Sequence, residues 1–158
     1  MKCYGKEWYL NGCNSNNAAT DEQLAYNEYV KATLPSWYQK LYLHDSYIIN
    51  VDENKEKRTL SIEFKSPIWK SLNLFICYYE YQIIEPCSVI HSTVVSDEVY
   101  INQDTVEHHF MVDTYKNNKV TLEYFTIECK QVEFKFKHKL LARLKGFPFK
   151  NMILSAKA

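Results

Sequence analysis

Two short runs of the sequence combine residue types that could hold a metal ion or move a proton. The first is His44-Asp45, because an adjacent imidazole and carboxylate can share an ion when helices bring further His and Asp ligands to it. Such a pair would belong to a metal-dependent hydrolase. Here the pair stands just before a strand-like run, and the chain shows few helical stretches. Catalysis by His44 and Asp45 is therefore the least favoured interpretation.

A local structural role explains the same pair with fewer assumptions. Asp45 and Ser46 can bond nearby backbone amides and start the strand. We expect His44 to pack beside Trp37 or Tyr38. A third interpretation gives His44 and Asp45 a role in recognition at the protein surface.

The second run is Glu107-His108-His109. Neighbouring side chains on a β-strand point to opposite faces of the sheet, so His108 and His109 cannot both bind one ion. We therefore predict that this run consists of exposed strand residues and holds no metal.

Other patterns typical of catalysis or cofactor binding are missing from the sequence. It contains no G-x-S-x-G turn, and its three glycines, Gly5, Gly12 and Gly146, are too scattered to form a phosphate loop. The five cysteines are odd in number and form no C-x-x-C pair, which is typical of free thiols in a reducing compartment. We predict a protein that is not an enzyme and that has no catalytic residue, metal or cofactor.

Charge is distributed unevenly, although the net charge is zero. Residues 1–129 contain 11 basic and 18 acidic residues, whereas residues 130–158 contain 8 basic residues and one acidic residue, so their formal charges are −7 and +7. A basic segment of this kind predicts an electrostatic surface for nucleic acid or an acidic ligand. The candidate residues are Lys135, Lys137, Lys139, Arg143 and Lys145. Strand alternation also allows a simpler interpretation, with Phe134 and Phe136 on a buried face and the lysines in solvent, so nucleic acid is the alternative partner.

The elements that must position these residues begin with a helix. Thr20 and Gln23 fit a capping box, and the helix should continue to about Thr33 because Pro35 disfavours helical geometry in the residue before it. We expect a second short helix over residues 36–41. Residues 6–10 could form either an edge strand or one helical turn.

From Tyr47 onward the sequence predicts strands. Apolar and polar residues alternate through a hairpin with a turn at 52–54, and residues 72–84 have the continuous apolar character of a central strand. Further strands are predicted over 88–95, 98–101, 106–113, 120–129 and 131–137. A short amphipathic helix over 139–145 should follow, with its leucines, Leu140, Leu141 and Leu144, facing inward.

This order of elements predicts an α+β fold, with N-terminal helices packed on a mainly antiparallel sheet of about six to eight strands and a short C-terminal helix. We expect a single domain over residues 1–158. It divides into a helical front (1–45), an antiparallel sheet (46–137) and a basic C-terminal helix and tail (138–158).

Aromatic residues are the candidates for contact with a protein partner. Tyr79 and Tyr81 should share one strand face, where exposed rings would make good anchors. We also expect an exposed aromatic patch with Trp37, Tyr38, His44 and Asp45 near it. No apolar stretch reaches the ~20 residues that a membrane helix needs, and the N-terminus has no signal-peptide pattern, so a cytoplasmic location without a membrane partner is expected.

Several short motifs resemble an uncharacterised bacterial family, a domain of unknown function found chiefly in low-GC Gram-positive bacteria. The resemblance touches residues 1–10 and most of 34–137. Its motifs are Met1-Lys2-Cys3-Tyr4-Gly5-Lys6-Glu7-Trp8-Tyr9, Leu34-Pro35-Ser36-Trp37-Tyr38, Leu43-His44-Asp45-Ser46-Tyr47-Ile48-Ile49, Tyr81-Gln82-Ile83-Ile84-Glu85 and Glu107-His108-His109-Phe110. That family has no assigned catalytic residues, so the resemblance implies none here.

The Leu43-His44-Asp45-Ser46 entry into a hairpin is also similar to small immunity proteins that neutralise secreted toxins. This likeness implies a non-enzymatic bacterial protein that acts by contact with a protein partner. The partner's identity and the oligomeric state of the chain stay open.

Overall fold

The computed structural model of the protein describes residues 2–10, 19–68, 71–116, 119–144 and 152–156. In chain order the helices are α1 (Lys6–Leu10), α2 (Asp21–Thr33) and α3 (Lys139–Leu144), with a 3₁₀ turn at Tyr38–Lys40. The strands are β1 (Tyr47–Asn54), β2 (Thr59–Lys65), β3 (Asn73–Tyr79), β4 (Gln82–Glu85), β5 (Thr93–Ile101), β6 (Val106–Lys116), β7 (Lys119–Cys129), β8 (Gln131–Phe136) and β9 (Ile153–Ser155).

The nine strands of the described residues belong to one antiparallel sheet in the order β4-β7-β6-β5-β1-β2-β3-β8-β9. The sheet curls so far that strands distant in this order meet across the core. The ring of Phe64 on β2 stacks 6.0 Å from the ring of Phe110 on β6, although β1 and β5 lie between these strands. The sheet therefore acts as two layers, β4-β7-β6-β5 and β1-β2-β3-β8-β9, that share one interior.

The two layers are joined at two corners. At one corner β1 pairs with β5. At the other corner, Tyr79 of β3 pairs with Gln131 of β8, and Gln82 of β4 pairs with Glu128 of β7. Gln82 lies three residues after Tyr79, and Glu128 lies three residues before Gln131. The two pairs therefore share one register, and β3-β4 and β8-β7 form a continuous two-stranded ribbon. This ribbon bends from one layer to the other at Glu80, whose backbone is left-handed with φ 51°.

Side-chain alternation explains how the strands build the core. In β2 the inward residues Leu60, Ile62 and Phe64 are buried and the residues between them are half-buried. The α2 helix begins as predicted, because the Thr20 hydroxyl accepts from the Gln23 amide and the Gln23 side chain accepts from the Thr20 amide.

The mainly antiparallel sheet is confirmed, but strands dominate the molecule and the helical front is smaller than expected. The predicted helix over 36–41 is only a 3₁₀ turn, and residues 6–10 form a helical turn. Leu140 and Leu144 were expected to face inward and are exposed, so that prediction is wrong. The amphipathic pattern identified the helix α3 but did not show whether a surface was available to cover it.

Three strand predictions also need correction. Residues 72–84 form two strands rather than one, because the left-handed bend at Glu80 lies between them. The strands expected over 88–95 and 98–101 are replaced by the single strand β5. The turn expected at 52–54 lies instead at residues 55–58, where Arg58 has φ 50°.

Candidate functional site

The interior of the curled sheet holds a hydrogen-bonded set of acid–base groups. His108 Nε2 lies 3.3 Å from Asp97 Oδ2, and His108 Nδ1 lies 2.9 Å from the Tyr78 hydroxyl. The Tyr38 hydroxyl donates to the same Asp97 oxygen at 2.8 Å. The set joins β3, β5, β6 and the 3₁₀ turn; Tyr78 and His108 are 0% exposed, and the Asp97 side chain is 16% exposed.

Burial sets the protonation of this core set. It lowers the pKa of His108 below the ordinary 6.5, although the Asp97 carboxylate acts in the opposite direction. A neutral imidazole satisfies both neighbours when Nε2–H donates to Asp97 and Nδ1 accepts from the Tyr78 hydroxyl. Burial also raises the pKa of Tyr78 and Tyr38 well above 10.0. The set therefore holds its protons in place and stabilises the fold.

Sequence reasoning missed this core set, although a signal for it was present. Val106, His108, Phe110 and Val112 alternate along β6, so His108 stands on the apolar, inward face of the strand. The prediction that His108 and His109 are exposed is wrong, since both are buried. Their predicted placement on opposite faces is confirmed.

His109 lies on the outer face of β6, beneath the N-terminal residues. Its Nε2 is 3.0 Å from Glu107 Oε2, and its Nδ1 is 3.1 Å from the Thr126 hydroxyl. Burial lowers the pKa of His109, and the Glu107 carboxylate opposes that shift. The Tyr100 ring meets the imidazole edge-on at 5.6 Å, and Lys2 Nζ lies 3.8 Å from Glu107, so other side chains close this face as well.

An open cleft of about 570 Å³ lies where β1 begins and β2 ends. Its walls are formed by Asp45, Tyr47, Lys65, Ser66 and Pro67. Asp45 sits at the corner with a left-handed φ of 62°, which Asp tolerates better than most residues, and its amide donates to the Val94 carbonyl at 2.8 Å. Tyr47 pairs with Lys65 on β2, so strand register brings the phenol and the ammonium to the same wall.

Exposed apolar and aromatic side chains surround this cleft. Tyr42 packs against the His44 imidazole at 5.6 Å, and Tyr47 stacks on His91 at 6.1 Å. The exposed fractions are 47% for Tyr42, 38% for Tyr47, 53% for Ile68 and 46% for Ile90. We call this surface the β1 patch and define it by Tyr42, His44, Asp45, Tyr47, Lys65, Ile68, Ile90 and His91.

The structure brings only two of the predicted contact residues into the β1 patch. His44 and Asp45 are there, with His44 Nδ1 3.0 Å from Asp45 Oδ2 but without the alignment of a hydrogen bond. His44 packs on Tyr42 and not, as expected, on Trp37 or Tyr38. Trp37 and Tyr38 are buried against Phe134, so they belong to the core and not to an exposed patch.

Tyr79 and Tyr81 do not share one strand face as predicted. β3 ends at Tyr79, and the bend at Glu80 takes Tyr81 towards the other layer. The Tyr79 hydroxyl donates to Glu133 Oε2 at 2.8 Å, and the Tyr81 hydroxyl donates to Glu53. Both rings are half-buried, so neither is a freely exposed anchor.

The predicted basic surface is partly neutralised by carboxylates. Lys135 Nζ lies 2.7 Å from Glu133 Oε2, and Lys137 Nζ lies 3.8 Å from Glu63 Oε1. Arg143 is exposed, whereas the Lys139 side chain and Lys145 lie outside what the structure describes. The missed signal was that Glu133 stands two residues before Lys135 on the same face of β8; the contact of Lys137 with Glu63 of β2 depends on the fold.

No three His, Cys, Asp or Glu side chains in the described ranges converge as metal ligands. Within the same ranges, no helix has the length and apolar character that crossing a membrane requires. No family model, curated protein or solved structure matches the chain. The function must therefore be argued from the sites themselves.

Proposed function

We propose that the protein is a non-enzymatic binding protein that contacts a protein partner through the β1 patch. The observation that supports this is the grouping of exposed aromatic and aliphatic side chains around a cleft that also carries opposite charges. Tyr47 and Ile68 supply apolar contact area, while Asp45 and Lys65 supply a carboxylate and an ammonium at the cleft wall. Aromatic anchors flanked by polar groups are the usual centre of a protein interface.

The environment of the acid–base residues also supports a binding role over catalysis. His108 and Tyr78, the best-connected proton-transfer groups, are shut inside the core where no substrate can reach them. At the surface, His44 and Asp45 have no third ligand of the His, Cys, Asp or Glu type beside them in the described residues. A metal-dependent hydrolase would need one.

Toxin neutralisation is the partner role that we propose for this site. The Leu43-His44-Asp45-Ser46 motif, which is similar to immunity proteins, forms the corner of the β1 patch. An immunity protein of this type would act by occluding its toxin, which requires a rigid contact surface and no chemistry. The two-layer sheet beneath Tyr47 supplies such a support.

The test is retention of one identified partner by tagged wild type and variants, incubated with extract of the organism that encodes the protein. Tyr47→Ala and Ile68→Ser should each weaken partner binding by about tenfold or more, since loss of an interface anchor costs on the order of 2 kcal/mol. Leu24→Ala is the control, because Leu24 is 52% exposed on α2, which lies at the opposite end of β5 from Tyr47. Equal retention of the partner by all four proteins would reject the β1 patch.

The toxin role has its own readout. When the partner gene is expressed alone, growth should stop, and co-expression of wild type or Leu24→Ala should restore it. Tyr47→Ala should fail to restore growth at an equal protein level. A partner whose expression leaves growth unchanged would remove toxin neutralisation and leave only the binding proposal.

A further inference from the structure

β5 lies beside β1 for only part of its length. Their ladder pairs Tyr47 with Thr93, and backbone bonds from the Asp45 amide to the Val94 carbonyl and from the Val94 amide to the Ser46 carbonyl extend it slightly. β5 then continues to Ile101. Beyond Val94, this edge of β5 has no strand beside it in the described part of the chain.

Tyrosine hydroxyls take the place of the missing strand. The Val99 amide donates to the Tyr26 hydroxyl at 2.8 Å, and the Ile101 amide donates to the Tyr29 hydroxyl at 2.6 Å. Val99 and Ile101 are two residues apart, which is the spacing of outward-facing amides on a strand edge. α2 therefore covers the edge through hydroxyl groups one helical turn apart, and covering by a helix is a recognised way to prevent edge-to-edge pairing.

The N-terminal segment holds α2 in this position. We call residues 2–6 the strap. The Tyr4 ring meets the Tyr26 ring edge-on at 6.2 Å, and the Tyr4 hydroxyl donates to Asn27 Oδ1 at 3.2 Å. Gln23 Nε2 donates to the Cys3 carbonyl at 3.4 Å. Strap and helix therefore form one cover over the β5 edge.

One buried carboxylate fixes the strap to the sheet. Glu98, 0% exposed, accepts from the amides of Lys2 at 2.8 Å, Cys3 at 2.9 Å and Tyr4 at 2.7 Å, and from the Tyr100 hydroxyl at 2.8 Å. Fewer side chains are buried here than in the core strands: α1 has no buried residue, α2 buries Gln23 and Tyr26, and Tyr29 and Val30 pack partly buried against the core. A segment with so little buried apolar surface opens at a lower free-energy cost than the core.

We propose that the β5 edge is a strand-pairing surface under a removable cover, and that its partner is the same edge of a second copy of this chain. An antiparallel edge is complementary to itself across a two-fold axis, so two uncovered copies can exchange the bonds that Val99 and Ile101 now make to tyrosines. This surface is separate from the β1 patch and does not depend on its function.

The double variant Tyr26→Phe/Tyr29→Phe tests the pairing edge, because it removes both hydroxyls and keeps both rings. In dilute protein, where the variant stays monomeric, hydrogen exchange at the Val99 and Ile101 amides should rise by about tenfold, the effect of losing one hydrogen bond each, and at higher concentration pairing of copies should protect these amides again. Sedimentation should show a doubling of mass relative to wild type at the same concentration. Faster exchange without any gain in mass would overturn the proposal.

Ile101→Pro, added to the double variant, distinguishes edge pairing from other association. The Ile101 amide points away from β6, so proline removes an outward donor without breaking the β5–β6 ladder. The triple variant should return to the wild-type mass. A doubled mass that persists would show that the copies associate elsewhere and would reject the edge.

Glu98→Gln tests the attachment of the cover. Exchange should rise at the strap amides and at Val99, while the Met111 and Val112 amides of β6 stay protected. Glu128→Gln on β7 is the control and should leave the strap unchanged. Unchanged exchange at Val99 in Glu98→Gln would show that the strap does not hold the cover.

Discussion

Two His–Asp pairs in this chain share their chemistry and differ in their surroundings. His108 and Asp97 approach to 3.3 Å inside the core, whereas His44 and Asp45 approach to 3.0 Å at the open β1 patch. The first pair is tied to Tyr78 and Tyr38, which fix its protons and join four elements. The second pair lies at the surface without a hydrogen bond between its two members, so it adds little to folding. Surroundings, more than residue type, decide which pair stabilises the fold and which is free to meet a partner.

The largest difference should appear when each histidine is truncated. His108→Ala opens a cavity, leaves the Tyr78 hydroxyl without a partner and leaves Asp97 with only the Tyr38 hydroxyl, so the free energy of unfolding should fall by about 3 kcal/mol or more. His44→Ala should change it by less than about 0.5 kcal/mol. Urea denaturation of both variants measures the two values. Similar losses in both would abolish the distinction between the pairs.

A smaller loss is expected when only a hydroxyl is removed. Tyr78→Phe leaves His108 Nδ1 buried without a donor, which should cost about 1–2 kcal/mol of unfolding free energy. Tyr47→Phe is the matched change at the β1 patch and should be close to neutral. The same denaturation experiment separates them, and a neutral Tyr78→Phe would mean that water replaces the lost hydroxyl in the core.

The core pair also predicts how stability depends on pH. Burial holds the pKa of His108 below 6.5 in the folded protein, so the unfolded chain binds more protons as the pH falls through 6.5. The free energy of unfolding should therefore decrease below pH 6.5 and continue to fall until the folded pKa is passed. Burial also lowers the pKa of His109, so its protonation decreases the free energy of unfolding over the same direction of pH change. His108→Phe should flatten the profile between pH 5 and 7, and an unchanged slope would count against the buried neutral imidazole.

The smallest effect concerns nucleic acid. Because Lys135 and Lys137 pair with Glu133 and Glu63, binding of mixed-sequence RNA at low salt should be weak. Lys135→Ala should change it by less than about threefold, as expected for a partly neutralised surface charge. Fluorescence anisotropy over a salt series provides the measurement. Tight binding that falls steeply with added salt would move the functional surface from the β1 patch to β8.

Local patterns predicted the features that depend on neighbouring residues. The capping box at Thr20 and Gln23 and the alternation of Leu60, Ile62 and Phe64 were both correct because each is set within a few positions. Features formed by distant segments were not predicted. The left-handed bend at Glu80 and the burial of Trp37 in the core depend on how the two layers meet. The residues around them in the sequence do not determine that contact between layers.

The candidate site was predicted only in part for the same reason. His44 and Asp45 were identified from their types, but Ile68 and His91 come to them through the pairing of β1 with β2 and β5. The partner of His108 lies eleven residues earlier, on β5, and only the β5–β6 register brings the two side chains together. The alternation of apolar and polar residues predicts which face of the sheet a side chain lies on, but it does not predict which residue of the neighbouring strand lies beside it.

The bent ribbon has a consequence for how the protein is made. The layer β1-β2-β3-β8-β9 takes its last two strands from the C-terminal part of the sequence, and the layer β4-β7-β6-β5 is made of the four strands between β3 and β8. Neither layer is complete until β7 and β8 have left the ribosome. The nascent chain must therefore keep β3 and β4 unpaired along one edge until β7 and β8 have been synthesised, and the finished fold forms late, as a single interlocked unit.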